Sequence, residues 1–215
     1  YGKHFVGVEV YDNLQGKWTD YLDYDWEGGA VSTNWVYETG DTIQSAATVL
    51  NGKVYVGSND GKLYCINNST GQTQWTFTCG DSVISKPTAY GNNVLFGSND
   101  KKLYSLDAET GALNWSFTTE GSVISNPLIN GDVVVFGSGD CKIYALNASS
   151  GAKLWSYQTN GLMRQQPIVS NGTLYAFVRD TYIWYAINMT DGSLKWRGNA
   201  NTDESLFVCG DVHPV

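Results

Sequence analysis

Tryptophans recur at a fixed spacing along most of the chain. Trp75, Trp115 and Trp155 lie 40 residues apart, with Trp35 one period earlier and Trp196 one period plus one residue later. Between them the same segments repeat in order: a Trp strand, Val-Ile-Ser-x-Pro, a two-residue turn, an apolar run that ends in Gly-Ser-x-Asp, a Leu-Tyr strand and a Thr-Gly turn. Four short strand patterns in a period of about 40 residues, with no helical segment, predict the blades of a β-propeller.

A two-residue turn separates the first two strand patterns of each unit. Asn, Asp and Gly adopt the positive φ values that type I′ and type II′ turns require, so these dipeptides predict tight antiparallel hairpins. The turns are Asn51-Gly52, Gly91-Asn92, Gly131-Asp132 and Asn171-Gly172.

The later turn of each unit contains the run Asx-x-x-Thr-Gly-x-x-x-Trp. Its cleanest copy extends from Asp107 to Trp115, and variants begin at Asn67, Asn147 and Asn188. These runs resemble the PQQ-type (quinoprotein-like) β-propeller repeat, and the resemblance covers residues 35 to 205. It implies a structural docking role between neighbouring blades for Trp35, Trp75, Trp115, Trp155 and Trp196. It specifies a fold and leaves the function open.

Counting from each tryptophan gives four repeats, 35–74, 75–114, 115–154 and 155–195, and leaves 196–215 and 1–34 for one closing blade. In that blade 205–209 would be the first strand, and 3–11, 19–27 and 32–38 the other three. We therefore expect a single all-β domain over residues 1–215, a β-propeller of about five four-stranded blades with one blade shared between the two termini. The terminal segments could pair within one chain or, by strand exchange, between chains.

Charge and composition narrow the classes of partner. The formal net charge of −8 argues against nucleic acid, and no apolar run approaches the roughly 20 residues of a membrane span. A chain that opens with Tyr1 is expected to be a mature or excised product. Sequons begin at Asn67, Asn68, Asn114, Asn147, Asn171 and Asn188, and we take Asn68, Asn147, Asn171 and Asn188 as candidate glycosylation sites. They favour an extracellular or cell-surface location, although Asn, Ser and Thr are also ordinary turn residues.

Cysteines and acidic residues give weaker predictions. Four cysteines allow three disulfide connectivities. Cys65 aligns with Ser105 and Ala145 in mid-strand, which indicates a free, buried thiol. Carboxylates alternate along residues 23–27 and could bind Ca²⁺, but such a pattern usually faces solvent. No metal and no cofactor are predicted.

The repeat at 155–195 departs from the others in a cluster. Val-Ile-Ser becomes Met-Arg-Gln, Gly-Ser becomes Phe-Val, and one extra residue enters near Ile183 and Trp184, where we expect a bulge. The register set by the hairpin turn would place Arg164 opposite Arg179, which is unfavourable unless an anionic group joins them. The predicted partner-binding site is Arg164, Gln165, Gln166, Arg179 and Trp184. The alternative is that acidic side chains of an adjacent blade pair with the arginines.

These features favour a non-enzymatic extracellular scaffold that binds a protein partner or itself. The alternative is a self-assembling surface or filament subunit with strand exchange between chains. A quinone-dependent dehydrogenase fragment is disfavoured, because the enzymes that the repeat resembles have eight blades and an adjacent cysteine pair. A glycosidase needs two carboxylates in unlike environments, whereas Asp60, Asp100 and Asp140 recur at one turn and are predicted to form it.

Overall fold

The computed structural model describes residues 9–11, 17–19, 35–200 and 208–209. Every regular element within these ranges is a β-strand. Four consecutive sheets of antiparallel strands follow one another, so the predicted all-β propeller architecture with four-stranded blades is confirmed. Among the described residues there is no helix with the length and apolarity that a membrane span requires.

The strands are numbered in chain order. The first three are β1 (Glu9–Tyr11), β2 (Lys17–Thr19) and β3 (Tyr37–Glu38). The first blade contains β4 (Thr48–Leu50), β5 (Lys53–Gly57), β6 (Lys62–Asn67) and β7 (Thr73–Thr78). The second contains β8 (Thr88–Tyr90), β9 (Asn93–Gly97), β10 (Lys102–Asp107) and β11 (Leu113–Thr118). The third contains β12 (Leu128–Asn130), β13 (Val133–Gly137), β14 (Lys142–Asn147) and β15 (Lys153–Gln158). The fourth contains β16 (Ile168–Ser170), β17 (Thr173–Val178), β18 (Ile183–Asn188) and β19 (Leu194–Asn199), and β20 is Val208–Cys209.

Each blade is a meander whose strands pair in chain order. The short first strands β4, β8 and β12 contact one another between blades, which places them at the inner edge of the propeller. Trp75, Trp115 and Trp155, which open the second, third and fourth sequence repeats, each lie in the last strand of the preceding sheet. The sheets are therefore offset from the sequence repeats by one strand.

The hairpin turns have the predicted geometry. In the first blade Asn51 has φ +49° and Gly52 φ +73°, so both central residues are left-handed, as in a type I′ turn. Asn171 and Gly172 repeat this geometry in the fourth blade. In the second blade Gly91 has φ +55°, and only this first central residue is left-handed, as in type II′. The turn of the third blade, Gly131-Asp132, has the same geometry as that of the second, with Gly131 at φ +60°.

The hydrophobic core lies between consecutive blades. Side chains alternate between the two faces of a strand. Val54 and Val56 pack with Trp35 on the amino-terminal side, whereas Tyr55 packs with residues of the second blade. We call the face of a blade that packs against the next blade in the chain its outgoing face. Because both faces are covered, β5, β9 and β13 are almost fully buried.

The repeat tryptophans contact the next blade through a hydrogen bond and a glycine. Trp75 Nε1 donates to the Ala108 carbonyl oxygen at 3.2 Å. A Cβ on Gly111 would lie 2.7 Å from the Trp75 ring, so only glycine leaves room for it. The same contacts join Trp35 to Asn68 and Gly71, Trp115 to Ala148 and Gly151, and Trp155 to Met189 and Gly192. The blade that would receive Trp196 lies outside the described residues.

The described terminal strands pair locally. β1 pairs antiparallel with β2 and parallel with β3, and β20 adds a fifth strand beyond β19 at the outer edge of the fourth blade. The sequence predicts instead that 205–209 pairs with 3–11. The described parts of these two segments do not pair with each other. Most of the expected closing blade lies outside the described residues, namely 1–8, 12–16, 20–34, 201–207 and 210–215.

The extra residue of the fourth repeat lengthens a strand: β17 has six residues and β13 has five, whereas the turns that follow them, 138–141 and 179–182, are equally long. β17 and β18 pair without a register shift as far as Val178 and Ile183, so the bulge expected near Ile183 and Trp184 is wrong. The ladder instead gains one pair, Val178 with Ile183, before the turn at 179–182, in which Tyr182 has φ +55°. A single inserted residue can be accommodated by a bulge or by a longer ladder. The uninterrupted ladder keeps more backbone hydrogen bonds.

Three cysteines have described side chains. Cys65 is buried, Cys79 and Cys141 are partly buried, and all three are free. Burial raises the pKa of the Cys65 thiol to about 11 and that of Cys79 to about 12. The expected buried thiol at Cys65 is confirmed, and the side chain of Cys209 lies outside the described residues.

Candidate partner-binding site

A carboxylate in the turn before the third strand recurs in the first three blades. Asp100 Oδ1 accepts a hydrogen bond from the Lys102 backbone N–H at 3.1 Å. Its Oδ2 accepts from Tyr104 Oη at 2.5 Å and from the Gly80 N–H at 2.9 Å. Asp60 and Asp140 make the equivalent contacts. A contact set repeated three times is a structural clamp, as the recurrence of Asp at this turn predicts.

The fourth blade replaces this clamp with neutral groups. Tyr185 Oη donates to Asn160 Oδ1 at 2.6 Å, and Thr181 Oγ1 donates to the same oxygen at 3.1 Å. Asp180, the only acidic residue of the turn at 179–182, is exposed. The fourth blade therefore holds its tyrosine without a carboxylate.

A buried serine fastens the connection into each of the first three blades. Ser85 Oγ accepts a hydrogen bond from the Gly97 N–H at 2.7 Å and donates to the Gly97 carbonyl oxygen at 2.9 Å. Ser45 with Gly57 and Ser125 with Gly137 repeat this pair of bonds. In the fourth blade the two positions hold Gln165, which is exposed, and Phe177. Both members of the pair are thus exchanged together.

The glycine of this pair is required by the following blade. A Cβ on Gly97 would lie 2.3 Å from the Val123 carbonyl oxygen of the third blade. A Cβ on Gly137 would lie 2.3 Å from the Cβ of Met163 in the connection to the fourth. Phe177 occupies the equivalent position, so its ring needs the volume that the following blade fills elsewhere. A neighbour packed as closely as Val123 packs against Gly97 would overlap this ring.

Phe177 and Trp184 form an aromatic pair on the outgoing face of the fourth blade. They are opposite each other in the ladder, as Gly57 and Leu63 are in the first blade. Their ring centroids lie 5.0 Å apart with the planes inclined by 33°. Leu63 and its counterparts in the second and third blades are fully buried, whereas Trp184 is 38% exposed. A large aromatic surface therefore replaces a small, covered one.

A second contact between blades is also missing at this face. Thr88 Oγ1 donates to the Pro127 carbonyl oxygen of the next blade at 2.8 Å, and Thr48 makes the same bond to Pro87. The third blade has Leu128 here, and the fourth has Ile168, which is 59% exposed and cannot donate. The outgoing face of the fourth blade is thus apolar where the first two carry a hydroxyl.

The three arginines of the chain, Arg164, Arg179 and Arg197, lie in the fourth blade or in the connection that enters it. Arg164 precedes β16 and Arg179 follows β17, so both lie at the same end of this antiparallel pair. Both side chains are exposed, and neither forms an ion pair with any residue that the structure describes. The ladder has the predicted register but begins at Ile168, so strand pairing does not hold the two arginines opposite each other.

The five residues predicted as a partner site lie at one end of the fourth blade, and all five are exposed. They are Arg164, Gln165, Gln166, Arg179 and Trp184. The structure adds Ile168 and Phe177, whose role sequence reasoning missed. The usable signal was the joint loss of a serine and a glycine that lie 12 residues apart in the other repeats.

The candidate glycosylation residues differ in their surroundings. Asn171 is exposed at a hairpin tip. The side-chain oxygens of Asn147 and Asn188 accept backbone N–H groups of their own turns. Asn68 Oδ1 is buried and has no hydrogen-bond partner among the described residues.

A comparison with known protein families identifies the repeat. A family model described as PQQ_2, outer membrane protein assembly factor BamB, matches residues 18–138 and again residues 120–215. None of the curated proteins matches the sequence significantly.

Solved structures share the fold at low sequence identity. The crystal structure of BamB from Moraxella catarrhalis is 23% identical with a TM-score of 0.67, over 76% of this chain and 52% of that one. A europium-containing methanol dehydrogenase is 16% identical with a TM-score of 0.67, over 74% and 42%. Quinohemoprotein alcohol dehydrogenase from Comamonas testosteroni is 18% identical with a TM-score of 0.64, over 74% and 35%. The matched region spans about half of the first of these chains and less of the others. On the match of the family model to both halves of the sequence, the chain belongs to the PQQ_2 family of β-propeller repeat proteins.

Proposed function

We propose that this chain is a non-enzymatic scaffold that binds a protein partner at the end of the fourth blade that carries Arg164 and Arg179. The observation that carries the proposal is the clustering of departures from the repeat. In the first three blades the recurring polar contacts serve turns and blade packing. In the fourth blade the corresponding segments carry exposed arginine and tryptophan side chains, the residue types enriched at protein interfaces.

The described residues do not fit a quinone cofactor. Trp35, Trp75, Trp115 and Trp155 are each packed against a glycine of the next blade, so their rings are not free to stack on a bound quinone. Within the described ranges no three His, Cys, Asp or Glu side chains converge on one point. Similarity to the methanol and alcohol dehydrogenases therefore supports the fold and no chemical step.

We also propose an extracellular or cell-surface location with N-linked glycans. Asn171 supports this because its sequon lies at an exposed hairpin tip. Glycosidase treatment of protein from its native source should lower its mass and convert Asn171 to Asp. Unmodified Asn at all the sequons would contradict glycosylation.

Self-assembly is the second candidate function. The observation that favours it is the addition of β20 to β19, which shows that the outer edge of a blade can accept a further strand. Native mass spectrometry over a range of concentrations should then show oligomers. A monomer at every concentration would contradict it.

The scaffold proposal is tested by two measurements. Purified protein mixed with the quinone and Ca²⁺ should not reduce an electron-accepting dye in the presence of alcohols or sugars, while a quinoprotein alcohol dehydrogenase serves as the positive control. Saturable turnover that requires the quinone would overturn the non-enzymatic assignment. In the second measurement the immobilised protein is used to select from a random peptide library, and we expect families of related sequences to be enriched.

A further inference from the structure

We propose that the outgoing face of the fourth blade binds an extended acidic peptide of a partner protein. An apolar side chain of that peptide would cover Phe177 and Trp184, and its carboxylates would meet Arg164 and Arg179. The inference rests on the proposed scaffold function and adds the binding surface and the chemistry of the partner.

The outgoing face of the fourth blade lacks the glycine and the hydroxyl that contact the next blade elsewhere. At Gly57 and Gly97 a Cβ would come within 2.5 Å and 2.3 Å of a carbonyl oxygen of the next blade. The ring of Phe177 fills that place, and Ile168 has lost the hydroxyl with which Thr88 holds the next blade. The contacts that join the first three blades are thus replaced by apolar surface.

The outgoing face of the fourth blade also exposes large aromatic and aliphatic side chains. Besides Trp184, Ile168 is 59% and Tyr182 47% exposed, whereas the large apolar side chains at the outgoing faces of β5 and β9 are buried. The rings of Phe177 and Trp184, in contact with their planes inclined by 33°, form a preorganised platform. Rigid aromatic side chains that lose little entropy on binding are common anchors of protein interfaces.

The charged side chains at this end of the fourth blade favour an acidic partner. The chain has a formal net charge of −8, yet two arginines without a described ion-pair partner lie beside this platform. Asp180 follows Arg179 in the turn, so these three side chains together carry two positive charges and one negative charge. Guanidinium groups bind carboxylates with two parallel hydrogen bonds, which favours an acidic partner over a basic one.

Two exposed amide side chains at this end of the blade indicate the shape of the partner. In the first three blades a serine ties the entering connection to the second strand, and the fourth blade carries Gln165 there, followed by Gln166. Both amides are exposed, and each offers a donor and an acceptor to a passing peptide backbone. A peptide that uses these amides, the aromatic pair and both arginines must be extended rather than folded.

The experiment uses peptides from the library selection and the full chain. Their dissociation constants are measured by fluorescence polarisation with wild type and two variants. The first variant, Gln165→Ser with Phe177→Gly and Trp184→Leu, restores the residues of the first two blades at these positions. The second, Arg164→Gln with Arg179→Gln, leaves the packing unchanged. Arg197→Gln is the control, because Arg197 is exposed in the same blade beside Tyr157 and Tyr185, on the side of the third blade.

We expect the enriched peptides to combine Asp or Glu with an apolar residue. We expect each of the two variants to weaken binding about tenfold or more, and the control to have no effect. Added salt should weaken binding to wild type more than binding to the arginine variant. Peptides rich in Lys or Arg, or binding unchanged in both variants, would overturn the inference while leaving the scaffold function intact. A failure to enrich any peptide would overturn both.

One further outcome is decisive. If the face were packed inside the protein, the first variant would change the melting temperature and Trp184 would be shielded from acrylamide quenching. The chain has eight tryptophans, so the contribution of Trp184 is obtained as the difference between wild type and Trp184→Phe. We expect acrylamide to quench this difference signal in the free protein and bound peptide to protect it. Shielding in the free protein would overturn the inference.

Discussion

Asp60 shows how much local structure one side chain can organise. Its carboxylate accepts hydrogen bonds from the Lys62 N–H, from Tyr64 Oη and from the Gly40 N–H. A turn, a third strand and the connection from the preceding segment are therefore held at one point. Burial, and then the hydrogen bond to Asp60, raise the pKa of Tyr64 to about 12. The phenol remains a donor throughout the physiological pH range.

Alkaline pH should weaken the fold through this tyrosine. The folded pKa of about 12 lies above the ordinary value of 10.0, so the stabilisation is complete below pH 10 and is lost as the pH rises toward 12. We expect the urea midpoint to fall over this interval, and to fall less steeply in Tyr64→Phe. The Phe variant should also be less stable at neutral pH, because it loses the hydrogen bond to Asp60. Tyr182→Phe, at an exposed position, is the control, and equal slopes in wild type and Tyr64→Phe would contradict the assignment.

At the scale of secondary-structure elements, the turns set the conformation that each residue must adopt. The turn before the third strand ends in a left-handed residue in every blade: Gly61, Lys101, Cys141 and Tyr182. Only the first is a glycine, and a side chain at positive φ costs about 1–2 kcal/mol. The blade architecture therefore tolerates local strain in three of its four turns.

Replacing Cys141 with glycine should relieve that strain. Its φ is +63°. We expect Cys141→Gly to raise the free energy of unfolding by about 0.5–1 kcal/mol, because the relieved strain exceeds the entropy that glycine gains in the unfolded chain. This corresponds to an increase in melting temperature of about 1–4 °C for a chain of this size. Cys141→Ala, which removes the thiol but keeps a Cβ, should not be stabilising. If both variants behave alike, the thiol and not the backbone is responsible.

At the scale of the whole molecule, the blades are spaced by glycines that leave no room for a side chain. This explains what the sequence could and could not predict. The 40-residue spacing of the tryptophans and the Asn-Gly turns depend on local conformation, so the four blades and their hairpins could be predicted. The meaning of Phe177 depends on atoms of a different blade that approach Gly57, Gly97 and Gly137, and one sequence does not show them.

Two glycine substitutions separate the spacing effect from the turn effect. Gly131 and Gly151 both have positive φ, +60° and +71°, so Ala at either position suffers the left-handed penalty of about 1–2 kcal/mol. A Cβ added to Gly131 would have nothing within 4 Å, whereas a Cβ added to Gly151 would lie 2.7 Å from the Trp115 ring. Gly151→Ala should therefore cost about 1–3 kcal/mol more than Gly131→Ala in denaturant unfolding. Equal losses would show that the ring can move aside.

The offset between sequence repeats and sheets has a consequence for the history of such genes. A unit such as 75–114 carries most of the last strand of one sheet and the first three of the next, so it has no complete sheet of its own. Tandem duplication of that unit adds a blade whose missing strand is supplied by its neighbour, and no new free edge arises inside the array. Copy number can thus change one blade at a time while every intermediate protein stays foldable. Sequence divergence can then be confined to a single copy, as in the fourth repeat.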